Sequence, residues 1–290
     1  MAEGTPGNVP AVIVNYNAGS YLVDCVRSLR AEGLTTIVVV DNDSKDGSVE
    51  DLEAADPAVT IVRTGRNLGF GTGVNRGAAA VDAEFILVLN ADTVVEPGMV
   101  KALVASIDAD PKVGIVGPLI ETPDGDLYPS ARTFPTMADA VGHAFLGMVA
   151  PGNRFTRRYR MLDWDHAAAR RVDWVSGSCL LVRQTCFRGI GGFDEDFFMY
   201  LEDVDLCWRA RRAGWDVAYE PAARVMHVQG VSTDLHPYRM ITEHHRSLLR
   251  YWWRTTPSSH RLLLPLVAVG LLIRLFLAWS HRFIEGRLRH

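Results

Sequence analysis

Carboxylates, amides and one histidine gather at a few points of this 290-residue sequence, each just behind an apolar run. Asp92 closes the triplet Asn90-Ala91-Asp92 after Phe85–Leu89. An acid on a rigid strand end is the ligand a hard cation such as Mn²⁺ or Mg²⁺ needs, and diphosphate oxygens can fill the remaining positions. A second acidic run leads from Asp194-Glu195-Asp196 to Glu202-Asp203 and Asp205, interleaved with Phe197, Phe198 and Tyr200. Rings that exclude water raise a carboxylate's pKa, which suits a general base near neutral pH. The same acids also suit the first turn of a helix, where its dipole favours them. His227, in Val225-Met226-His227-Val228, reads as a packed core imidazole or as a nitrogen ligand for the same cation. Asn15 and Asp41-Asn42-Asp43-Ser44 end two further apolar runs. Each alone could be turn chemistry; three such strand ends together favour a ligand site.

The elements that would position these groups follow from the apolar pattern. Val9–Asn15, Ile37–Asp41, Thr60–Arg63 and Phe85–Leu89 are nearly unbroken apolar runs, as in parallel strands buried on both faces. Helical stretches lie between and after them, near Tyr21–Arg30, Val49–Ala55, Gly71–Val81 and Pro97–Ile107, the last with Pro97 in its first turn. Strand–helix alternation predicts an α/β fold with a doubly wound, mostly parallel sheet and ligands outside the carboxyl ends of its strands. Gly69-Phe70-Gly71-Thr72-Gly73 fails the dinucleotide spacing and is expected to let the backbone approach a ligand at a helix N-terminus. From Pro118 to Asp173 the pattern weakens around five prolines and the basic group Arg154, Arg157, Arg158 and Arg160, as in a long excursion that carries binding function. Order returns with a strand over Trp174–Val182 and a helix over Glu202–Ala213 that Gly214 ends.

Composition narrows the class. Apolar residues make up 48% and charged residues 22%, which excludes a disordered tail, a collagen-like chain and a many-span membrane protein. Cys25, Cys179, Cys186 and Cys207 show no paired spacing, and Met1–Pro10 has no apolar core of a signal peptide, so reduced thiols and a cytoplasmic protein are expected. Lys and Arg number 30 against 34 Asp and Glu, but residues 206–290 hold 13 of the basic and 5 of the acidic side chains. That asymmetry suits an anionic partner such as a membrane surface or nucleic acid, or only a solvated face, and no nucleic-acid recognition motif is present. Leu262–Trp279 is 18 residues long, apolar except for Arg274, and flanked by Tyr251-Trp252-Trp253-Arg254 and by His281 and Arg282. As a helix it spans about 27 Å, and its flanks fit a helix lying on or half inserted in a bilayer better than a full span or a dimerisation helix.

With these residues assembled, the chain resembles the family 2 glycosyltransferases, inverting enzymes of the Rossmann-like GT-A fold. The likeness runs from Val9 to Ser232 through six segments in order: Val12–Asn17, Asp41–Ser48, Asn67–Gly71, Leu89–Asp92, Gly191–Glu195 and Glu202–Arg209. It implies a GT-A domain over 1–235, with a nucleotide-sugar half of about 9–117 and an acceptor half of about 118–235, then a helical, membrane-associating extension over 236–290. It also implies roles. Asp203 would be the catalytic base. Asp92 would hold the divalent metal, Mn²⁺ or Mg²⁺, with His227, which Gly230 and Ser232 follow as in related transferases. Asn15, Asp41, Asn67, Gly69, Arg76 and Asn90 would bind the donor together with Asp92, Asp41 at its base or ribose. Trp174, Gly177 and Glu202 would bind the acceptor. Asn90 departs from the family, where an acid is common, and implies a weaker dependence on metal.

Segments Asn67–Gly77 and Phe193–Arg209 look most like bacterial rhamnosyltransferases. The partners implied are dTDP-L-rhamnose and a polyprenyl-diphospho-GlcNAc acceptor of the cell-wall arabinogalactan linker, met on the inner leaflet of the plasma membrane, with a homo-oligomer through the C-terminal helices as a further possibility. Galactofuranosyl or mannosyl transfer would use the same machinery. A non-catalytic nucleotide-sugar or lipid-binding scaffold is the competing class, with Asn90 as its hint.

Overall fold

The computed structural model describes residues 8–136, 150, 152–161, 163–231 and 235–288. Ser232 and parts of the Pro118–Asp173 excursion lie outside the described residues. The strands are β1 Ala11–Asn15, β2 Ile37–Asp41, β3 Thr60–Arg63, β4 Phe85–Asn90, β5 Thr93–Val95, β6 Val113–Glu121, β7 Leu127–Tyr128, β8 Ala131–Arg132, β9 Arg170–Val172, β10 Trp174–Val175, β11 Cys179–Arg183 and β12 Asp216–His227. The main sheet has the order β3-β2-β1-β4-β11-β6-β12-β5, with β7 on β6 and β9 on β12. Strands β1 to β4 pair in parallel and β6 pairs in parallel with β12, while β11 runs antiparallel between β4 and β6. The sheet is thus mixed, with its longer strands mostly parallel, as the alternation predicts.

The unbroken apolar runs have a simple cause. Ile13, Val39 and Leu87 point into one core layer, and their neighbours Val12, Val40 and Val88 point into the other. Both faces of β1, β2 and β4 are covered by helices, so their positions stay apolar until the carboxyl ends. There Asn15 pairs with Asp41 across β1 and β2, and Val14 pairs with Asn90 across β1 and β4, which aligns the three polar strand ends on one edge.

Three local expectations change. The helix expected from Pro97 runs over Met99–Asp108, because Gly98 at φ +85° caps it and leaves Pro97 outside. The stretch expected as one strand, Trp174–Val182, is two: β10 pairs with β8 in a separate ribbon, and β11 joins the main sheet. Ser176-Gly177-Ser178 makes the break, and its purpose is chemical, as shown below. The glycines after Asn67 approach protein. A Cβ on Gly71 would meet Phe193, and on Gly73 and Gly77 the valines Val14 and Val12, so these positions let the helix Phe70–Ala78 lie flat on the sheet.

The helix Pro237–Thr255 packs into the core of the preceding residues. Tyr251 and Trp252 of the helix Pro237–Thr255 are buried in the second core layer with Phe197 and Leu206. The same helix supplies cations to acids of the 194–205 run. Arg254 donates to the fully buried Asp205 (2.7 Å) and to Asp194, and Arg250 pairs with Asp194 and Asp196. Arg209 completes the cluster with a 2.7 Å bond to the other Asp205 oxygen. Asp194, Asp196 and Asp205 are therefore occupied in holding a helix, and Glu195, Glu202 and Asp203 of that run stand outside the arginine cluster. The last helix, Leu264–Leu288, packs on Pro237–Thr255. The stretch Ser258–Ile284 is long and apolar enough to cross a membrane, and its most apolar 18-residue window is only 6% buried. Leu266, Leu272 and Phe276 on it are each more than 60% exposed.

Candidate active site

The aligned strand ends open into a cleft of about 650 Å³, within the usual range for small-ligand sites. Asn42, Asn67, Gly69, Asn90 and Asp92 line one part of its wall; Trp174, Gly177, Glu202, Asp203 and His227 line others. Asn15, Asp41 and Arg76 do not line it. Asn15 is fully buried and donates through its amide to Asp41 (3.1 Å), Ser44 (3.0 Å) and Ser48 (3.0 Å). Asp41 accepts from the Ser44 amide as well. These two residues brace the loop after β2, which is the turn reading of that motif. Its ligand-facing member is Asn42, held by a 3.0 Å bond from its amide to the Gly69 carbonyl. Arg76 lies exposed on the helix Phe70–Ala78, away from the cleft wall.

Two short straps bring the cleft walls together. Asn67 accepts from the Gly69 amide (2.9 Å), and Gly69, at φ +85°, lies against Phe198: a Cβ there would sit 2.1 Å from the Phe198 carbonyl oxygen. Phe70 N–H donates to that same carbonyl (3.1 Å). Tyr200 and Leu201 then adopt φ of +68° and +62°, a left-handed pair rare for side chains of this size. That pair turns the chain sharply into the helix Glu202–Arg212 and sets Asp203 at the cleft.

Asp203 is fixed through both oxygens. Gly177 N–H donates to Oδ2 (2.9 Å) and Val204 N–H to Oδ1 (2.8 Å). Burial raises its pKa, opposed by those two amides and by the charge of Arg132. Burial also pushes Glu202 well above the carboxylate range, and the Asp203 charge pushes it further. Glu202 is 5% exposed and its Oε2 has no hydrogen-bond partner among the described residues. Of two adjacent acids, burial and its neighbour raise Glu202, while Asp203 is the one whose two oxygens are held by backbone amides at the cleft.

A second cluster sits at the ends of β4 and β12. His227 Nε2 lies 3.1 Å from Asp92 Oδ1 and 3.2 Å from the Asn90 amide. Adjacent ligands of an octahedral cation with bonds near 2.1 Å stand about 3 Å apart, so this spacing fits two donors on one ion. No group of three or more His, Cys, Asp or Glu side chains is placed to hold a metal ion by itself among the described residues. The donor set therefore suits a hard divalent cation that draws its remaining oxygens from a diphosphate and water. The His227 Nδ1 is buried without a hydrogen-bond partner among the described residues. The Tyr128 ring meets that imidazole edge-on instead, at 6.4 Å.

Several cleft residues carry no sequence signal. Arg132 is boxed by the rings of Trp174 (5.0 Å), Tyr159 (5.6 Å) and Tyr128 (5.7 Å), with its Nε on the Pro129 carbonyl (2.7 Å). Arg239 and His244 reach the cleft from the helix Pro237–Thr255. Trp174 itself is buried, its indole N–H on the Thr133 carbonyl (3.0 Å).

A family profile described as glycosyltransferase like family 2 matches residues 6–246. The N-acetylglucosaminyl-diphospho-decaprenol L-rhamnosyltransferase of Mycobacterium tuberculosis (strain H37Rv) is 39% identical over 266 residues, covering 85% of this chain and 86% of that protein. Rhamnosyltransferase WbbL of Escherichia coli (strain K12) is 26% identical over 258 residues, covering 86% and 94%. Among solved structures, the mannosyltransferase PcManGT from Pyrobaculum calidifontis, in complex with GDP-Man and Mn²⁺, aligns with a TM-score of 0.58 at 16% identity over 94% of this chain and 74% of that one. GalNAc-T7 with UDP, GalNAc and Mn²⁺ aligns with a TM-score of 0.59 at 17% identity, covering 85% of this chain and about half (48%) of that one.

Proposed function

The chain belongs to glycosyltransferase-like family 2, with the GT-A fold, and from that premise we propose that it transfers L-rhamnose from dTDP-L-rhamnose, with inversion, to a polyprenyl-diphosphate-linked GlcNAc. The observation that carries this reading is the likeness at 39% identity, over 85% of this chain and 86% of the other, to a protein named as an L-rhamnosyltransferase acting on N-acetylglucosaminyl-diphospho-decaprenol. The site geometry supports it. An acceptor hydroxyl next to Asp203 loses its proton to the carboxylate as its oxygen attacks the anomeric carbon. The bond from that carbon to the diphosphate oxygen breaks on the opposite face, and dTDP leaves. The amides of Gly177 and Val204 keep Asp203 aimed, which is why β10 and β11 are separated by a turn. Glu202, pushed upward by burial and by the Asp203 charge, would in its protonated form add no second negative charge beside the base and offer an O–H to the acceptor sugar. Asp92 and His227 would hold the divalent cation, which when bound neutralises charge on the leaving diphosphate. Asn42, Asn67 and Gly69 would bind the nucleotide half.

The enzyme acts at the inner face of the plasma membrane, where the bare apolar face of Leu264–Leu288 and the basic C-terminal third meet anionic lipid. The test is sugar transfer from dTDP-rhamnose, UDP-galactofuranose and GDP-mannose to a short polyprenyl-diphospho-GlcNAc, with Mn²⁺, with Mg²⁺ and with chelator. Transfer from dTDP-rhamnose that chelator abolishes is the expected result. Transfer only from another donor overturns the rhamnose assignment and leaves the base in place. Co-flotation with phosphatidylglycerol vesicles checks the membrane contact, and a stable dimer that ignores vesicles would give that face to a second copy.

A further inference from the structure

The helix Pro237–Thr255 has two faces that meet different chemistry. One enters the cleft: Arg239 lies over the Phe198 ring (4.3 Å), and His244 meets the Tyr200 ring edge-on (5.3 Å). Phe198 and Tyr200 belong to the strap that leads directly into Glu202 and Asp203, so this face borders the place where the acceptor must sit. The other face carries the apolar C-terminal helix. The Tyr238 ring contacts that of Trp279 (5.7 Å), and His245 Nε2 meets the Arg274 guanidinium (3.2 Å). Cleft and apolar surface are thus separated by one helix, about 10 Å across.

Charge marks one residue on that helix. Arg246 pairs with Glu243, Arg250 with Asp196, and Arg254 with Asp194 and Asp205. Arg239 alone of its four arginines has no carboxylate partner among the described residues, and it is the one that faces the cleft. An exposed guanidinium stacked on a ring keeps its in-plane N–H groups available, and those N–H groups match phosphate oxygens. The metal-side cluster of Asp92 and His227 serves a different diphosphate, that of the donor.

We propose that Arg239, with the Phe198–Tyr200 strap and His244, forms a subsite for the diphosphate of a prenyl-linked acceptor, and that the prenyl chain runs over the helix onto Leu264–Leu288. The proposal rests on the acceptor class given above and adds where its charged linker is gripped. The sugar hydroxyl reaches Asp203 while the two phosphates lie at Arg239, so the residue selects acceptors by their linker.

The test compares Arg239→Ala and Arg239→Lys with the wild type in the full-length chain. Farnesyl diphosphate is the binding probe, followed by isothermal titration. Two acceptors, farnesyl-diphospho-GlcNAc and octyl β-GlcNAc, are compared by kcat/KM. Arg239→Ala is expected to weaken farnesyl diphosphate binding at least tenfold and to lower the preference for the diphosphate acceptor by a similar factor, with partial recovery in Arg239→Lys. Equal binding of farnesyl diphosphate by wild type and variant, or no binding by either, overturns the subsite. So does a variant that loses affinity for phosphatidylglycerol vesicles and keeps it for the soluble probe, because the arginine would then read lipid headgroups. If farnesyl diphosphate binds through Arg239 and no rhamnose is transferred, the donor assignment falls and the subsite stands.

Discussion

Replacing Asp203 by Asn separates proton transfer from every other task of the site. The substitution keeps volume and shape and removes the charge. Asp203 accepts from two backbone amides, Gly177 at 2.9 Å and Val204 at 2.8 Å. The Asn oxygen keeps one of these bonds, while its NH₂ faces the other N–H, a mismatch of about 1–3 kcal/mol. That is a local cost, survivable by a domain with two continuous core layers. The catalytic cost is larger: loss of a positioned general base is worth about 10²- to 10⁴-fold, or about 3–5 kcal/mol of barrier. Initial rates at saturating donor and acceptor should fall by that factor, while dTDP-rhamnose affinity by equilibrium titration stays within about twofold. The wild-type pH profile adds a second readout. A base works deprotonated, and burial raises this one, so kcat/KM should fall as pH drops through a pKa above the ordinary aspartate range, and Asp203→Asn should lose that limb. A variant with more than a fifth of wild-type turnover, or one whose donor affinity falls in step with its rate, refutes Asp203 as the base.

Other expectations are as direct. Gly69→Ala puts a Cβ 2.1 Å from the Phe198 carbonyl at a φ of +85°, and should cost about 2 kcal/mol or more in urea unfolding while raising KM for donor and acceptor together. His227→Ala should raise the Mn²⁺ concentration for half-maximal rate at least tenfold, and an unchanged metal titration would remove it from the ligand set. Glu202 has a folded-state pKa raised by burial, so its contribution to stability is present below its unfolded value near about 4.3 and is lost as pH rises through the folded one. Glu202→Gln should therefore melt above the wild type at pH 8 and match it at pH 4, a comparison open to scanning calorimetry. Arg254→Ala leaves buried Asp205 with Arg209 alone and should cost about 2–3 kcal/mol of stability, read by denaturant titration.

The strand ends were legible because parallel strands buried on both faces admit polar side chains only where they stop, and Asn90, Asp92 and Asp203 all follow from such punctuation or from the family segments. Which polar residue faces a ligand was not. Asn15 and Asp41 look like cleft residues in the sequence, yet they brace the loop, because one amide reaches three acceptors across two strands and only the folded register brings these together. Asp194 and Asp205 read as members of the candidate acidic run for the opposite reason: their partners, Arg250 and Arg254, lie about fifty residues on, in a segment that reads as an appendage. Arg132 sits in a stretch without periodicity, and its box of three rings comes from residues 128, 159 and 174, which no spacing rule connects.

The contact between Gly69 and Phe198 has a consequence for kinetics. The turn that would cradle the nucleotide and the strap that aims Asp203 are joined backbone to backbone, with Phe70 N–H bonded to the Phe198 carbonyl and no side chain between them to absorb movement. Any shift that nucleotide binding imposes on one is delivered to the other. The two substrates are then thermodynamically linked, and the factor by which bound donor changes acceptor affinity must equal the factor by which bound acceptor changes donor affinity.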